Sequence, residues 1–279
     1  MNIRGTWAWI TGAAGGLGGA IALELAGRGA NLVLTDLTLQ AVEPVAVRAR
    51  GQGVQVVCLV QDVTDRARWE EIAHQLETEG RLPRMLVNNA GVAAAGLALE
   101  TPDQAWRTVI EIDLWGVIHG CRALVPRMLR THDSSAVLNV ASAAAHMGLP
   151  FGAAYSVAKA GVFSLTQSLR LELDSSRVSF TCVCPGSFDT GIWSVAARLG
   201  DGPPELIDQV GALVDPSGRA AMAVARRAVA ATLAGRAVVN VFWESWVLDL
   251  AARVLPHQWL SRVFRYFFVR RFPSLACSP

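Results

Sequence analysis

Short runs of apolar, often β-branched residues alternate along this chain with longer stretches of helical periodicity. The short runs predict strands and the longer stretches predict helices. Strands are predicted at 6–10, 31–35, 54–60, 84–87, 135–140 and 178–183, and helices after the first strand and at 65–79, 102–130 and 155–173. Because the strand runs are apolar throughout, we expect an α/β fold with a doubly wound parallel sheet covered on both faces.

A glycine-rich loop, 11–18, lies between the first strand and the first helix. Its glycines at 12, 16 and 18 form G-x-x-x-G-x-G, which differs from the commoner G-x-G-x-x-G. Glycine lets the backbone approach a ligand closely, and the N–H groups of a helix N-terminus attract a pyrophosphate. The chain has 25 glycines, so it is the strand–loop–helix context that indicates a dinucleotide site.

Asp36 ends the second predicted strand. A carboxylate at this place accepts hydrogen bonds from the adenosine ribose hydroxyls and repels the 2′-phosphate of NADP. Neither Gly15 nor Leu37 is a basic residue that would compensate. The sequence therefore favours NAD over NADP, and an ordinary strand-end Asp is the alternative.

Lys159 is the only lysine of the chain, and it follows one of the two tyrosines, Tyr155, by one helical turn. The two side chains share a face of the predicted helix. A nearby ammonium lowers the pKa of a phenol from its usual value of about 10, which suits Tyr155 to proton transfer. Ser142, at the end of the fifth strand, is placed to hydrogen-bond the same substrate oxygen. The alternative is a surface lysine beside a partly buried tyrosine.

These features and three more strand-end segments resemble the short-chain dehydrogenases/reductases over about residues 5–240. The matching segments, in the family's order, are TGAAGGLG (11–18), Asp36, Asp62-Val63, NNAG (88–91), Ser142, YSVAK (155–159) and PGSFDT (185–190). The resemblance implies a Rossmann fold with strand order 3-2-1-4-5-6-7, a nicotinamide cofactor, and a homodimer or homotetramer.

The resemblance also implies the roles of individual residues. The catalytic residues are Ser142, Tyr155, Lys159 and Asp113. The cofactor-binding residues are Thr11, Gly12, Gly16, Leu17, Gly18, Asp36, Asp62, Val63, Asn89, Ala90, Gly91, Tyr155, Lys159, Pro185, Gly186, Phe188 and Thr190. Lys159 grips the nicotinamide ribose, and Pro185, Gly186 and Thr190 line the carboxamide.

Asp113 departs from the family's pattern, which has Asn in this part of the fourth helix. That Asn helps to hold a water that links the catalytic lysine to solvent. Asp also accepts a hydrogen bond from such a water, but it adds a negative charge near Lys159 and donates nothing when ionised. We expect the proton relay to survive with a shifted pH profile.

The loops over the strand ends, 92–99, 143–151 and 188 to about 213, are predominantly apolar. They predict a pocket for a hydrophobic substrate with few polar anchors, of steroid, terpenoid, aromatic or fatty type. The candidate pocket residues are His146, Met147, Phe151 and Trp193.

Composition narrows the function classes. Hydrophobic residues make up 52% of the chain and the net charge is +2, without a basic tract, which argues against a nucleic-acid partner. The five cysteines form neither a disulfide framework nor a metal-binding spacing. There is no room for a signal peptide and no long uncharged apolar stretch, so we expect a cytoplasmic protein.

Residues 241–279 form a predicted helical extension beyond a Rossmann domain of residues 1–240. Its segment WLSRVFRYFFVRRF (259–272) has an apolar face opposite arginines, and no acidic residue follows Asp249. The face consists of Leu260, Val263, Phe264, Phe267 and Phe268, opposite Arg262 and Arg265. Such a helix covers the cleft, packs on another subunit, or makes peripheral contact with an anionic membrane surface.

The sequence therefore predicts an NAD-dependent oxidoreductase that interconverts a secondary alcohol and a ketone on a bulky apolar substrate. One alternative is a catalytically idle dinucleotide-binding protein, although such a protein does not need Ser142, Tyr155 and Lys159 together. The other is a non-redox member of the same fold, such as a dehydratase.

Overall fold

The computed structural model of the protein describes residues 1–130, 134–173, 177–186, 199, 219–256, 258–259, 262 and 265–266. The predicted site residues Phe188, Thr190 and Trp193 lie outside the described residues. So do all five apolar residues of the predicted tail helix face, whereas Arg262 and Arg265 are described and exposed.

Strands and helices alternate through the described part of the chain. The strands are β1 (Trp7–Thr11), β2 (Asn31–Asp36), β3 (Val56–Val60), β4 (Met85–Asn88), β5 (Ser135–Val140), β6 (Val178–Pro185) and β7 (Val238–Val241). The helices are α1 (Gly16–Gly27), α2 (Leu39–Arg50), α3 (Arg66–Thr78), α4 (Asp103–Ile110), α5 (Gly116–Arg130), α6 (Ala153–Glu172), α7 (Arg219–Leu233) and α8 (Trp243–Val254). A single 3₁₀ turn, Ala143–Ala145, follows β5 directly after Ser142.

The seven strands form one parallel sheet in the order β3-β2-β1-β4-β5-β6-β7, which confirms the predicted fold class and strand order. The chain reverses its direction of travel across the sheet between β3 and β4, so β1 and β4 become neighbours. The loops after these two strands diverge at the carboxyl edge, and open α/β sheets bind ligands in the crevice formed there.

Apolar side chains pack on both faces of the sheet, as its unbroken apolar strands predict. One face is covered mainly by α1, α2 and α7, and the other by α3, α5 and α6. On the second face the buried indoles of Trp9 and Trp69 lie 4.8 Å apart between ring centroids. The Trp9 indole N–H donates to Thr35 Oγ1 on the neighbouring strand, so this buried polar group is satisfied.

The helix predicted over 102–130 is interrupted by a π-helical segment, Glu111–Trp115, between α4 and α5. The sequence pattern did not reveal this interruption. A π-helical segment inserts an extra residue into the turn, and such segments are frequent at functional sites. Asp113 lies at the centre of the segment and is fully buried.

At the C-terminal side, α8 packs against β7 and against the 3₁₀ turn that follows Ser142. The helix therefore lies beside the carboxyl edge of the sheet. No helix in the described ranges is long and apolar enough to cross a membrane.

Candidate active site

A cleft of about 800 Å³ opens at the carboxyl edge of the sheet. The glycine loop, the ends of β2 to β6, the first turn of α6 and one side of α8 all contribute to its wall. Of the predicted site residues, the cleft is lined by Gly12, Gly16, Leu17, Gly18, Asp36, Asp62, Val63, Asn89, Ala90, Gly91, Ser142, Tyr155, Lys159, Pro185 and Gly186.

The glycine loop is fixed to the loop after β4 by backbone and amide hydrogen bonds. Asn89 Nδ2 donates to the carbonyls of Thr11 and Gly12, both at 3.0 Å. The Thr11 hydroxyl accepts from the backbone N–H groups of Asn89 and Ala90. Thr11 is therefore a support beneath the cleft, and it is not among the residues that line it.

Gly12 allows the two loops to approach each other this closely. Its φ is +61°, and a Cβ at this position would lie 2.8 Å from Ala90 Cα. After this loop, α1 begins at Gly16. The N-cap residue is Gly15, which has no side chain to accept a hydrogen bond from the first turn of the helix. The first N–H groups of α1 thus have no side-chain acceptor at the cleft wall, an arrangement that fits a pyrophosphate.

Asp36 and Asp62 are carboxylates at the end of the cleft where an adenosine would bind. Asp36 Oδ2 accepts from Ala14 N at 3.0 Å and Oδ1 accepts from Leu37 N at 2.8 Å. Asp62 Oδ1 accepts from the N–H and hydroxyl of Thr64. Both carboxylates are held by local donors, so each presents fixed acceptor oxygens to a ligand.

Tyr155, Lys159 and Ser142 come together at the other end of the cleft. Ser142 leaves the end of β5, and its Oγ accepts from Ala144 N at 3.1 Å. Tyr155 and Lys159 lie one turn apart on α6, with Lys159 Nζ 5.5 Å from the phenol ring centroid. Nζ also donates to Val140 O at 3.1 Å, which ties α6 to the end of β5.

Asp113 lies behind this group and not in the cleft wall. Its Oδ2 is 2.9 Å from Lys159 Nζ, and the two side chains are 0% and 3% exposed. The structure thus places Asp113 directly against Lys159.

Burial and these charges act in opposite directions on the three titratable groups. Burial raises the pKa of Tyr155, Lys159 lowers it, Asp113 raises it, and the net direction is upward. Burial alone would lower the pKa of Lys159, but Asp113 and Tyr155 raise it above its ordinary value. Burial raises the pKa of Asp113 against the opposing effect of Lys159.

Three of the predicted substrate residues do not line the cleft. His146 is bound inward, with Nε2 3.0 Å from Asn240 Oδ1 and its ring edge against Phe163. Phe151 is buried, with φ +58°, and Met147 is half-buried. The same loop contributes Leu149 to the wall, a residue that was not among the predicted ones.

Sequence reasoning missed the wall formed by α8, which contributes Trp243, Val247 and Leu248. Trp243 and Val247 are four residues apart, so the sequence does indicate that they lie on the same face of a helix. It does not reveal that this side faces the cleft, because that depends on how α8 packs on β7.

Comparison with known proteins agrees with this geometry. A family model described as short chain dehydrogenase matches residues 6–198. "Putative oxidoreductase SadH" of Mycobacterium tuberculosis is 30% identical over 261 residues, covering 91% of this chain and 92% of that protein. "Probable oxidoreductase EphD" of the same species is 36% identical over 183 residues, which cover 66% of this chain and 31% of EphD.

Among solved structures, a short chain dehydrogenase/reductase from Burkholderia phymatum in complex with NAD has a TM-score of 0.83. It is 28% identical, and the match covers 94% of this chain and 96% of that one. Another similar structure contains an NADP derivative, so the likeness supports a nicotinamide dinucleotide without choosing between NAD and NADP.

Proposed function

Because the chain belongs to the short-chain dehydrogenases/reductases, we propose that it is an NAD-dependent oxidoreductase that interconverts a secondary alcohol and a ketone. The observation that carries this proposal is the grouping of Ser142, Tyr155 and Lys159 in the cleft that the glycine loop also lines. A bound nicotinamide dinucleotide supplies the hydride for reduction and accepts it in oxidation. The residues of the chain bind the cofactor, hold the substrate oxygen and move the proton.

Tyr155 is the proton-transferring residue of the proposal. Its phenol donates a proton to a carbonyl oxygen during reduction and takes one from a hydroxyl during oxidation. Ser142 Oγ accepts a backbone hydrogen bond from Ala144. Its O–H lies within hydrogen-bonding reach of Tyr155, which places it to donate to the same substrate oxygen. Lys159 stabilises the phenolate by its charge.

We propose NAD as the cofactor because Asp36 is fixed at the adenosine end. Its two oxygens are held by Ala14 N and Leu37 N, so the carboxylate cannot swing away at low cost. A 2′-phosphate would meet this negative charge, and the adjoining Gly15 and Leu37 carry no cation. Ribose hydroxyls, in contrast, donate to it.

The proposed substrate is bulky and apolar. At the end of the cleft near Tyr155, the wall includes Val92, Leu149, Trp243, Val247 and Leu248. A wall of this composition gains free energy by removing apolar surface from water, and its polar anchors are the groups that act on the reacting oxygen.

With this activity we propose that the protein forms a homodimer or homotetramer and is located in the cytoplasm.

Peripheral contact with an anionic membrane is a second hypothesis for the C-terminal extension. It is supported by the exposed indoles of Trp246 and Trp259, 59% and 62% exposed, close in sequence to Arg253 and Arg262. Salt-sensitive cosedimentation with anionic vesicles is the expected result, and a protein that stays in the supernatant would refute it.

The test of the proposed function compares Tyr155→Phe with Tyr266→Phe, the same change at the only other tyrosine, which is 54% exposed. A panel of apolar ketones is offered with NADH, and loss of the reduced cofactor is followed. We expect Tyr155→Phe to lower turnover by about 100-fold or more while cofactor binding persists. Tyr266→Phe should behave as the unaltered protein.

Equal turnover in both variants would refute Tyr155 as the proton donor. Cofactor binding without turnover of any panel member would favour the catalytically idle protein. Product formation without change in the nicotinamide would favour a non-redox reaction such as dehydration.

A further inference from the structure

The contact between Asp113 and Lys159 is an ion pair withdrawn from water. Oδ2 and Nζ are 2.9 Å apart, and neither side chain is more than 3% exposed. The other carboxylate oxygen, Oδ1, accepts from Val92 N at 2.7 Å. The carboxylate is therefore held on one side by backbone and on the other by the only lysine of the chain.

The surrounding backbone leaves the pair little freedom. A Cβ at Gly91 would lie 2.9 Å from Asp113 Oδ2 and 3.2 Å from Lys159 Nζ. Oδ2 faces Nζ at 2.9 Å, the length of a charge-assisted hydrogen bond. Burial preserves this interaction because solvent does not screen it.

The ion pair acts on Tyr155 as two opposing charges. Lys159 alone favours the phenolate, whereas Asp113 disfavours it, and the two effects act on the same phenol oxygen. The anion lies 2.9 Å from the ammonium, and Nζ lies 5.5 Å from the centre of the phenol ring, so the anion cancels part of the ammonium's field at Tyr155.

The other titratable groups around Tyr155 do not replace this effect. On β6, the hydrogen bond to Cys182 and burial raise the pKa of Cys184 well above its ordinary value, so its thiol is neutral at neutral pH. On α4 and the π-helical segment, the charged side chains Asp103, Arg107 and Glu111 are exposed to solvent. Ser142, after β5, carries no charge, and its hydrogen bond lowers the pKa of Tyr155, so it does not supply the upward effect of Asp113.

We propose that Asp113 is a fixed counter-ion that cancels the field of Lys159 at Tyr155 and keeps Tyr155 protonated through neutral pH. This inference rests on the proposed function and deepens it. The site is then set to donate a proton to a carbonyl at neutral pH, and it acts as a base in alcohol oxidation only at alkaline pH. Asp113 is a positioning residue, since it acts through Lys159 and Tyr155.

Asp113→Asn removes the negative charge with almost no change of shape. Its Oδ1 can still accept from Val92 N, while the amide Nδ2, which accepts no hydrogen bond, replaces Oδ2 beside Lys159 Nζ. Removing the negative charge lowers the pKa of Tyr155, so the phenolate appears at lower pH. The readout is the near-ultraviolet absorbance of the phenolate, in a Tyr266→Phe background where Tyr155 is the only tyrosine. We expect a downward shift of about 1 pH unit or more.

Glu111→Gln is the matched control. It makes the same chemical change in the same π-helical segment, but at an exposed side chain. Its phenolate titration should overlay that of the background protein. A titration that is the same in Asp113→Asn and Glu111→Gln would overturn the proposal.

The single variant leaves the Lys159 ammonium buried without its counter-ion, and such a protein can fail to fold. In that case the double variant Asp113→Asn with Lys159→Met, which removes both charges, provides the test. Neutral side chains in place of a buried ion pair are usually tolerated. If the two charges cancel at Tyr155, the double variant should titrate within about half a pH unit of the background protein. A rise of about 1 pH unit or more would show that Lys159 acts uncompensated, and would overturn the proposal.

These titrations need no substrate, so their failure is distinguishable from failure of the proposed function, which the Tyr155→Phe comparison tests. Once a substrate is known, the rate of alcohol oxidation can be measured against pH. In Asp113→Asn the acid limb of this profile should move to lower pH by the same number of pH units as the Tyr155 titration. An unchanged acid limb would contradict the inference.

Discussion

The hydroxyl of Thr11 joins two strand ends at the base of the cleft. It accepts from the N–H groups of Asn89 and Ala90 and donates to Val87 O at 3.3 Å. Thr11 is 1% exposed, so water cannot readily replace these bonds. Thr11, which is not among the residues that line the cleft, thus determines where the glycine loop and the β4 loop lie.

Thr11→Val, which removes the hydroxyl but keeps the branched shape, should lower the free energy of unfolding by about 2 kcal/mol. The reason is that two N–H groups lose their acceptor in a place with little access to water. Urea denaturation measures the change, and NADH affinity should fall with it.

Thr78→Val is the control, since the Thr78 hydroxyl is exposed and bonds only to Gln75 O near the end of α3. Its effect should stay within about 0.5 kcal/mol. Equal losses in the two variants would contradict the account of Thr11.

Among elements, α8 shows how a helix outside the familiar motifs shapes the cleft. Ser245, fully buried, donates to Cys184 O at 2.6 Å or to Asn240 Oδ1 at 3.0 Å. Asn240 Nδ2 in turn donates to Asp249 Oδ2 at 2.7 Å. These bonds fix α8 to β6 and β7, and the opposite side of the helix presents Trp243 and Val247 to the cleft.

Ser245→Ala should loosen α8 and raise KM for an apolar substrate several-fold, with little change in NADH affinity. The change removes the hydrogen bond from Ser245 to the Cys184 carbonyl, which costs about 1 kcal/mol. Steady-state kinetics and a cofactor titration separate the two effects.

Arg253→Gln is the comparison on the same helix, because it removes an ion pair with Asp249 in which Arg253 is 61% exposed. Such exposed ion pairs contribute about 0.5 kcal/mol or less to the stability of the fold. We therefore expect KM and cofactor affinity to be unchanged in Arg253→Gln. A KM that rises equally in the two variants would show that the buried hydrogen bonds are not what positions α8.

Elements with strong local signals could be predicted from the sequence, and those that depend on packing could not. Ser135–Val140 was predicted with its observed bounds because a mainly apolar run begins directly after the polar residues His132, Asp133 and Ser134. The helix over 102–130 was predicted as continuous, since a π-helical segment needs only one extra residue and leaves the apolar period almost unchanged.

The same distinction applies within the site. Ser142, Tyr155 and Lys159 carry a spacing that the fold preserves, and the structure brings them together. His146 was assigned to the pocket because its loop crosses the strand ends, but its ring turns toward Asn240, which lies 94 residues away in sequence. The direct contact of Asp113 with Lys159 could not be predicted from the sequence either. It depends on the packing of the β4 loop, where Gly91 has no side chain and so leaves space for the two groups.

For the whole molecule, the order of strands determines where the chemistry occurs. The switch between β1 and β4 opens the cleft, the glycine loop enters it from one side, and α6 brings Tyr155 and Lys159 from the other. Family membership explains this arrangement and supports a nicotinamide dinucleotide, whereas the proposal that NAD is preferred rests on Asp36.

A paired titration with NADH and NADPH, which follows energy transfer from the protein's tryptophans to the bound nicotinamide, tests whether this cleft binds the cofactor and whether Asp36 selects NAD. We expect NADH to bind at least about tenfold more tightly, a difference of about 1.4 kcal/mol. Asp36→Asn, which keeps an acceptor but removes the charge, should narrow that difference. Preference for NADPH would contradict the assignment of Asp36, and binding of neither cofactor by the folded protein would contradict the oxidoreductase itself.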